Sequence, residues 1–161
     1  MTGMSAALVR RERNPDNLVS NYFTSFDELA NSEIAKEADY LVNILPSTNS
    51  TKNLLDFEKT MKNSNFKNLV FVNVGRGSIC SENDLIKCLD NNIYKHIILD
   101  VLPEEPLPKT SKLWKRPDVI ITPHNSGKDN AVDLCGLFME NLDRYLSGKE
   151  LKYCVDVSQG Y

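Results

Sequence analysis

The stretch "VNVGRGSI" at residues 72–79 ends an apolar run on an arginine held between two glycines. A phosphate-cradling loop needs bare backbone and a helix opening directly behind it. An arginine in the middle points instead to a strand that delivers a charged side chain at its end, with the glycines letting the backbone turn tightly there. The run itself, "LVFVNV" at 69–74, has counterparts in "SAALV" (5–9), "DYLVNIL" (39–45), "HIILDV" (96–101) and "VIIT" (119–122). Short apolar runs of this kind are strands buried on both faces. Their alternation with amphipathic segments predicts an α/β protein with a doubly wound parallel sheet.

Between the runs, "TSFDELANSEIAKEA" (24–38) offers a Ser or Thr cap before Asp27 and Glu28, and "SENDLIKCLDNN" (81–92) opens on Ser81 followed by acids. Both patterns start helices, because a side-chain oxygen and negative charge satisfy the free amides of a first turn. Residues 51–63 are expected to form a third, more polar helix. A last helix places Leu134, Leu137, Phe138, Leu142, Tyr145 and Leu146 on one stripe and closes at Ser147 and Gly148. "LPEEPLPKT" (102–110) must be a loop, since its three prolines deny a helix its donors.

Composition narrows the partners. With 41% hydrophobic and 25% charged residues the chain is globular, and a net charge of -3 argues against a nucleic-acid or anionic-membrane surface. No apolar run approaches the ~20 residues of a membrane span. The four cysteines form no C-x-x-C pair and stand at no zinc-like spacing, so reduced, packing cysteines, no metal and a cytoplasmic location are expected. Small molecules are the remaining partners.

In open parallel sheets ligands bind at the carboxyl ends of the strands. Arg76, Glu105 and His124 stand at or just beyond three such ends. Taken singly, each has a plain reading as a solvated charge or a loop residue. Together they offer a planar fork for a carboxylate, a proton near neutral pH, and an acid that favours the protonated imidazole.

The stretches "VNVGRGSICSENDLIKCL", "LDVLPEEPLP" with "LWKRPDVIITPHNSG", and "FMENLDRYLSGKELKYCVD" resemble the carboxyl-terminal half of the D-isomer-specific 2-hydroxyacid dehydrogenases, most of all their glyoxylate and hydroxypyruvate reductase branch. The family's Arg, Glu and His follow one another at separations of 29 and 19 residues, as Arg76, Glu105 and His124 do. The resemblance implies a Rossmann-like fold, with residues 1–127 a partial NAD(P)-binding domain and 128–161 a helix and tail that return to a substrate domain. It implies reduction of a small 2-keto acid to the D-2-hydroxy acid. His124 would act as general acid, Glu105 would hold its imidazole, and Arg76 would bind the substrate carboxylate and polarise the keto group.

For the cofactor, the resemblance places Leu45, Pro46 and Thr48 on the nicotinamide ribose side, Asn73, Val74 and Gly75 against the nicotinamide, Asp100 at its carboxamide, and Ser126 and Gly127 close by. On this reading the glycines beside Arg76 also leave space for cofactor and substrate. Arg10 and Arg11 stand where a Rossmann second strand usually carries an acid for the ribose hydroxyls. Guanidinium there would attract a 2'-phosphate, so NADP(H) is favoured and NAD(H) possible. A full-length form would be a homodimer.

The chain departs from the family pattern in one respect. It contains no G-x-G-x-x-G, the loop whose amides hold a pyrophosphate. The expectation is a fold truncated at the amino terminus, lacking its first strand and Gly-rich loop, with apolar faces exposed. The alternatives to an active reductase are a catalytically inactive remnant serving as a binding or interaction module, and a corepressor-like dinucleotide sensor on the same fold.

Overall fold

A computed structural model of the protein describes residues 7–9, 19, 21–127 and 130–158. Among the described residues, six strands and four α-helices follow in chain order: β1 (Ala7–Val9), β2 (Asn21–Phe23), α1 (Phe26–Ala30), α2 (Glu33–Glu37), β3 (Tyr40–Asn43), β4 (Leu69–Asn73), α3 (Glu82–Asp90), β5 (Tyr94–Leu99), β6 (Val119–Ile121) and α4 (Ala131–Leu146). All pairings are parallel. β1 pairs with β2, and a second sheet runs β3-β4-β5-β6. This is a Rossmann-like parallel sheet with crossover connections, as the alternation of apolar runs implies.

Register sorts the side chains of the four-stranded sheet into two faces. Leu41, Phe71, Ile97 and Val119 lie in one row and Asn43, Asn73, Leu99 and Ile121 in the next, all on the packed face. There Phe71, Ile97 and Leu99 are fully buried with Met61, Phe66, Leu85 and Leu113, and Phe71 stacks on Tyr94 at 5.0 Å between ring centroids. Each such side chain contributes about 1.5–3 kcal/mol by leaving water.

The opposite face corrects the expectation of strands buried on both sides. Tyr40, Val42 and Ile120 point to it and are 66, 53 and 56% exposed, while Val70, Val72 and Ile98 are half-buried. Helices among the described residues cover one face only. The stripe of α4 is likewise formed but bare: the helix buries none of its residues, and Phe138, Tyr145 and Leu146 are exposed.

Local chemistry explains the other departures from the sequence reading. The segment 24–38 is two short helices, because Ser32 caps a new one (Ala35 N to Ser32 Oγ, 3.3 Å) while its hydroxyl donates to Leu29 O at 2.7 Å and closes the first. Residues 51–63 form turns and a single 3-10 turn at Met61–Asn63 rather than an α-helix. The hydroxyls of Thr48 and Thr51 bond to nearby backbone, and Asn53 takes a left-handed φ of 54°, so side chains and backbone compete with the helical ladder. Strand β2 was not anticipated. Its three residues lie in a polar context with no apolar run.

Helix α3 matches its sequence signal closely. Ser81 and Asp84 form a reciprocal capping box, worth about 1 kcal/mol. At its far end Arg116 grips Asp118 with two nitrogens (2.9 and 2.7 Å) and Asp90 with a third (2.7 Å), tying α3 to the start of β6. Cys80 and Cys88 are buried, and all four cysteines are free thiols.

Candidate active site

The sheet's hydrogen-bond ladder continues past its strands, so the loops at their carboxyl ends leave in register. Val74 N donates to Asn43 O at 3.1 Å, Asp100 N to Asn73 O at 2.9 Å, and Thr122 N to Leu99 O at 2.9 Å. These three bonds set the relative positions of the loops that follow β3, β4, β5 and β6.

Arg76 is exposed, with extended backbone (φ −141°, ψ 142°), and its Nη1 donates to Gly75 O at 2.7 Å. Among the described residues no carboxylate pairs with it. The backbone bends at Gly75 and enters a 3-10 turn at Gly77, but neither glycine has a positive φ, so the turn by itself does not require glycine. They are there for contact. A Cβ on Gly75 would lie 2.8 Å from Asn43 Nδ2 and from Leu45 O, and one on Gly77 would run into the Leu102 carbonyl. Gly77 thereby lets the arginine loop seat directly on the loop that carries Glu105.

Glu105 Oε1 accepts from Leu102 N at 2.8 Å, and Oε2 lies 2.9 Å from His124 Nδ1. The Leu102 amide first, and His124 second, hold the Glu105 carboxyl below its ordinary value, so it is ionised at neutral pH. An ionised carboxylate can only accept, which places a proton on Nδ1. His124 takes a left-handed φ of 52°, unusual for a residue with a Cβ.

Asp100 holds that loop. It is 3% exposed, and its Oδ1 accepts from the Thr122 hydroxyl and from Asn125 N (3.0 Å) while Oδ2 accepts from Ser126 N (2.9 Å). Thr122 foremost, then Ser126, hold its carboxyl far below the usual range. The residues immediately after His124 are thus pinned to the end of β5.

The anticipated cofactor contacts divide three ways. Pro46, Ser126 and Gly127 are exposed, and Leu45 and Val74 half-buried, at the carboxyl ends of the strands. Thr48, Asn73, Gly75 and Asp100 are buried, and the side chains of Thr48, Asn73 and Asp100 are engaged within the protein. Arg10 and Arg11 lie outside the described residues. Half-buried Leu45 and Val74, beside exposed Pro46, Ser126 and Gly127 at the carboxyl ends of the strands, form a largely apolar surface of the kind that a nicotinamide ring needs. Two polar side chains escaped the sequence reading. Asn43 and Thr122 hold the loops in place, and the signal for Asn43 was an amide inside the apolar run "LVNIL".

The NAD-binding-domain model of the D-isomer specific 2-hydroxyacid dehydrogenases matches residues 1–126. The chain belongs to this family. It is 32% identical over 121 residues to a glyoxylate/hydroxypyruvate reductase A of Escherichia fergusonii, covering 75% of this chain and 38% of the relative. Its structure is similar to that of an NADPH-dependent glyoxylate/hydroxypyruvate reductase of Sinorhizobium meliloti in complex with NADP and sulfate. There the TM-score is 0.82 at 30% identity, over 99% of this chain and 50% of that one. A family member from Xanthobacter autotrophicus in complex with NADPH and MES superposes with a TM-score of 0.80 at 28% identity, covering 93% and 61%. The chain therefore spans about 40 to 60% of the length of these relatives. Among the described residues no helix is long and apolar enough to cross a membrane, and no group of three or more His, Cys, Asp or Glu is placed to hold a metal ion.

Proposed function

We propose that this chain supplies the catalytic and nicotinamide-binding residues of an NADP(H)-dependent reductase acting on a small 2-keto acid such as glyoxylate or hydroxypyruvate. The observation that carries the proposal is the His124–Glu105 contact at 2.9 Å, on a loop against which the backbone of Gly77, next to Arg76, is packed. A fork, a proton donor and an ionised orienting acid on neighbouring strand ends are the set that carbonyl reduction needs.

Bound reduced nicotinamide supplies the hydride. Arg76 holds the substrate carboxylate and draws electron density toward the keto oxygen. With Nδ1 turned to Glu105, His124 presents Nε2 to that oxygen; as the carbonyl carbon gains hydride, the C=O π pair moves to oxygen and takes the Nε2 proton. Glu105, held ionised by the Leu102 amide, stabilises the imidazolium before transfer. Leu45, Pro46, Val74, Ser126 and Gly127 line the nicotinamide side, and Arg10 and Arg11 favour a 2'-phosphate, in keeping with the NADP and NADPH complexes of the two structural relatives. The bare stripe of α4 supports the reading that residues 128–161 pack on a substrate domain, in an enzyme that works as a homodimer.

The test is glyoxylate-dependent loss of NADPH absorbance. His124→Gln is expected to lower kcat by about 100-fold or more, and Arg76→Gln to raise KM for glyoxylate. Absence of any glyoxylate-dependent oxidation by the wild type overturns the proposal. A second reading, a binding module without turnover, expects substitutions at Arg76, Glu105 and His124 to leave the chain's interactions unchanged.

A further inference from the structure

Two buried amides at the ends of neighbouring strands have no part in the chemistry above. Asn43, last residue of β3, and Asn73, last of β4, face each other in register and are 6 and 1% exposed. Asn43 Nδ2 donates to Asn73 Oδ1 at 2.8 Å. The remaining contacts lead outward into the two loops. Asn43 Oδ1 accepts from Leu45 N at 3.1 Å, Asn73 Oδ1 accepts from Gly75 N at 3.2 Å, and Asn73 Nδ2 donates to Arg76 O at 3.2 Å. The backbone donors fix both amide orientations: an oxygen must meet Leu45 N–H, and another must meet Gly75 N–H.

We propose that Asn43 and Asn73 are positioning residues that act as one unit, locking the arginine loop to the loop at 45–48 so that substrate anchor and nicotinamide wall keep a fixed separation. The proposal rests on the reading of Arg76 as carboxylate anchor. An apolar pair would serve the core as well or better, because buried amides gain little over apolar groups of the same shape. What an apolar pair cannot do is hold Leu45, Gly75 and Arg76 by their backbones. Gly75 belongs to the same arrangement, since a Cβ there would meet Asn43 Nδ2 and Leu45 at 2.8–2.9 Å. The amides thus require the glycine, and the glycine brings the arginine within reach of the amides.

The experiment compares Asn43→Leu, Asn73→Leu, the double variant and Arg76→Gln by two readouts. The first is amide hydrogen exchange at Leu45 and Gly75 in the chain without cofactor. The second is KM and kcat for glyoxylate with NADPH, or glyoxylate affinity by NMR titration if turnover is absent. Each single Asn variant is expected to speed exchange at Gly75 by about tenfold and to raise KM or weaken glyoxylate binding by a similar factor. The double variant should cost no more than either single one. If Asn43→Leu fails to fold, Asn43→Ser carries the same expectation, because its shorter side chain cannot reach Asn73. Unchanged Gly75 exchange, or additive costs in the double variant, overturns the proposal. Unchanged glyoxylate KM or affinity in the Asn variants while Arg76→Gln weakens binding overturns it too. Should Arg76→Gln leave glyoxylate KM or affinity untouched, the anchor reading falls, and hydrogen exchange alone decides whether the amides couple the loops.

Discussion

At the scale of single residues, Asp100 shows how much of the site is held by a side chain that need not touch substrate. Its carboxylate receives three donors from the loop that carries His124, and that histidine has a left-handed backbone of the kind that persists only where surroundings over-determine it. Because these donors favour the ionised form, the folded-state pKa is depressed below the ordinary 3.8. The unfolded chain then binds the proton more readily, so stability rises with pH in acid. The contribution is complete above about pH 4 and is lost as pH falls through the depressed folded value. Asp100→Asn would turn an NH2 toward backbone N–H donors. We expect chemical denaturation between pH 2 and pH 6 to show a flatter acid limb for the variant, with the two stability curves converging in strong acid; parallel curves would contradict the clamp.

The elements show that one residue type can be required in one place and dispensable in another. Gly77 opens the 3-10 turn Gly77–Ile79 with the Leu102 carbonyl where a side chain would be, whereas a Cβ on Gly136, mid-way along α4, would meet nothing within 4 Å. Gly77→Ala should destabilise by about 1–3 kcal/mol through overpacking. Gly136→Ala should stabilise by about 0.5–1 kcal/mol, since alanine has less backbone entropy to lose in a helix. Urea denaturation of the two variants checks both signs. The same contrast explains what could be read ahead of the structure. α3 and α4 carried their caps and periodicity in local sequence, while the turns at 49–60 depended on hydroxyls of Thr48 and Thr51 that choose backbone partners only once the loop is closed. The break between α1 and α2 also turns on one hydroxyl, that of Ser32, which both closes a helix and opens the next.

For the molecule as a whole, two apolar surfaces lie open among the described residues: the Tyr40, Val42 and Ile120 face of the sheet and the Phe138, Tyr145 and Leu146 side of α4. Surfaces of this kind drive association and dye binding. Val42→Lys combined with Ile120→Lys should lower fluorescence of an apolar-surface dye and reduce light scattering, with unfolding free energy changed by about 0.5 kcal/mol or less because neither side chain is buried. Unaltered dye binding would mean that this face is already covered.

What the sequence determined by itself was the alternation of apolar runs with capped helices, hence the parallel sheet, and the spacing that sets Arg76, Glu105 and His124 at its strand ends. Those are properties of chain order and period, which need no contact to be visible. Only the tertiary structure decided which sheet face is packed, that close contacts leave no room for a Cβ at Gly75 and Gly77, and that Asn43, Asn73, Asp100 and Thr122 hold the loops. Each of those depends on groups up to 32 residues apart meeting across strands, and contacts of that range leave no period in a sequence.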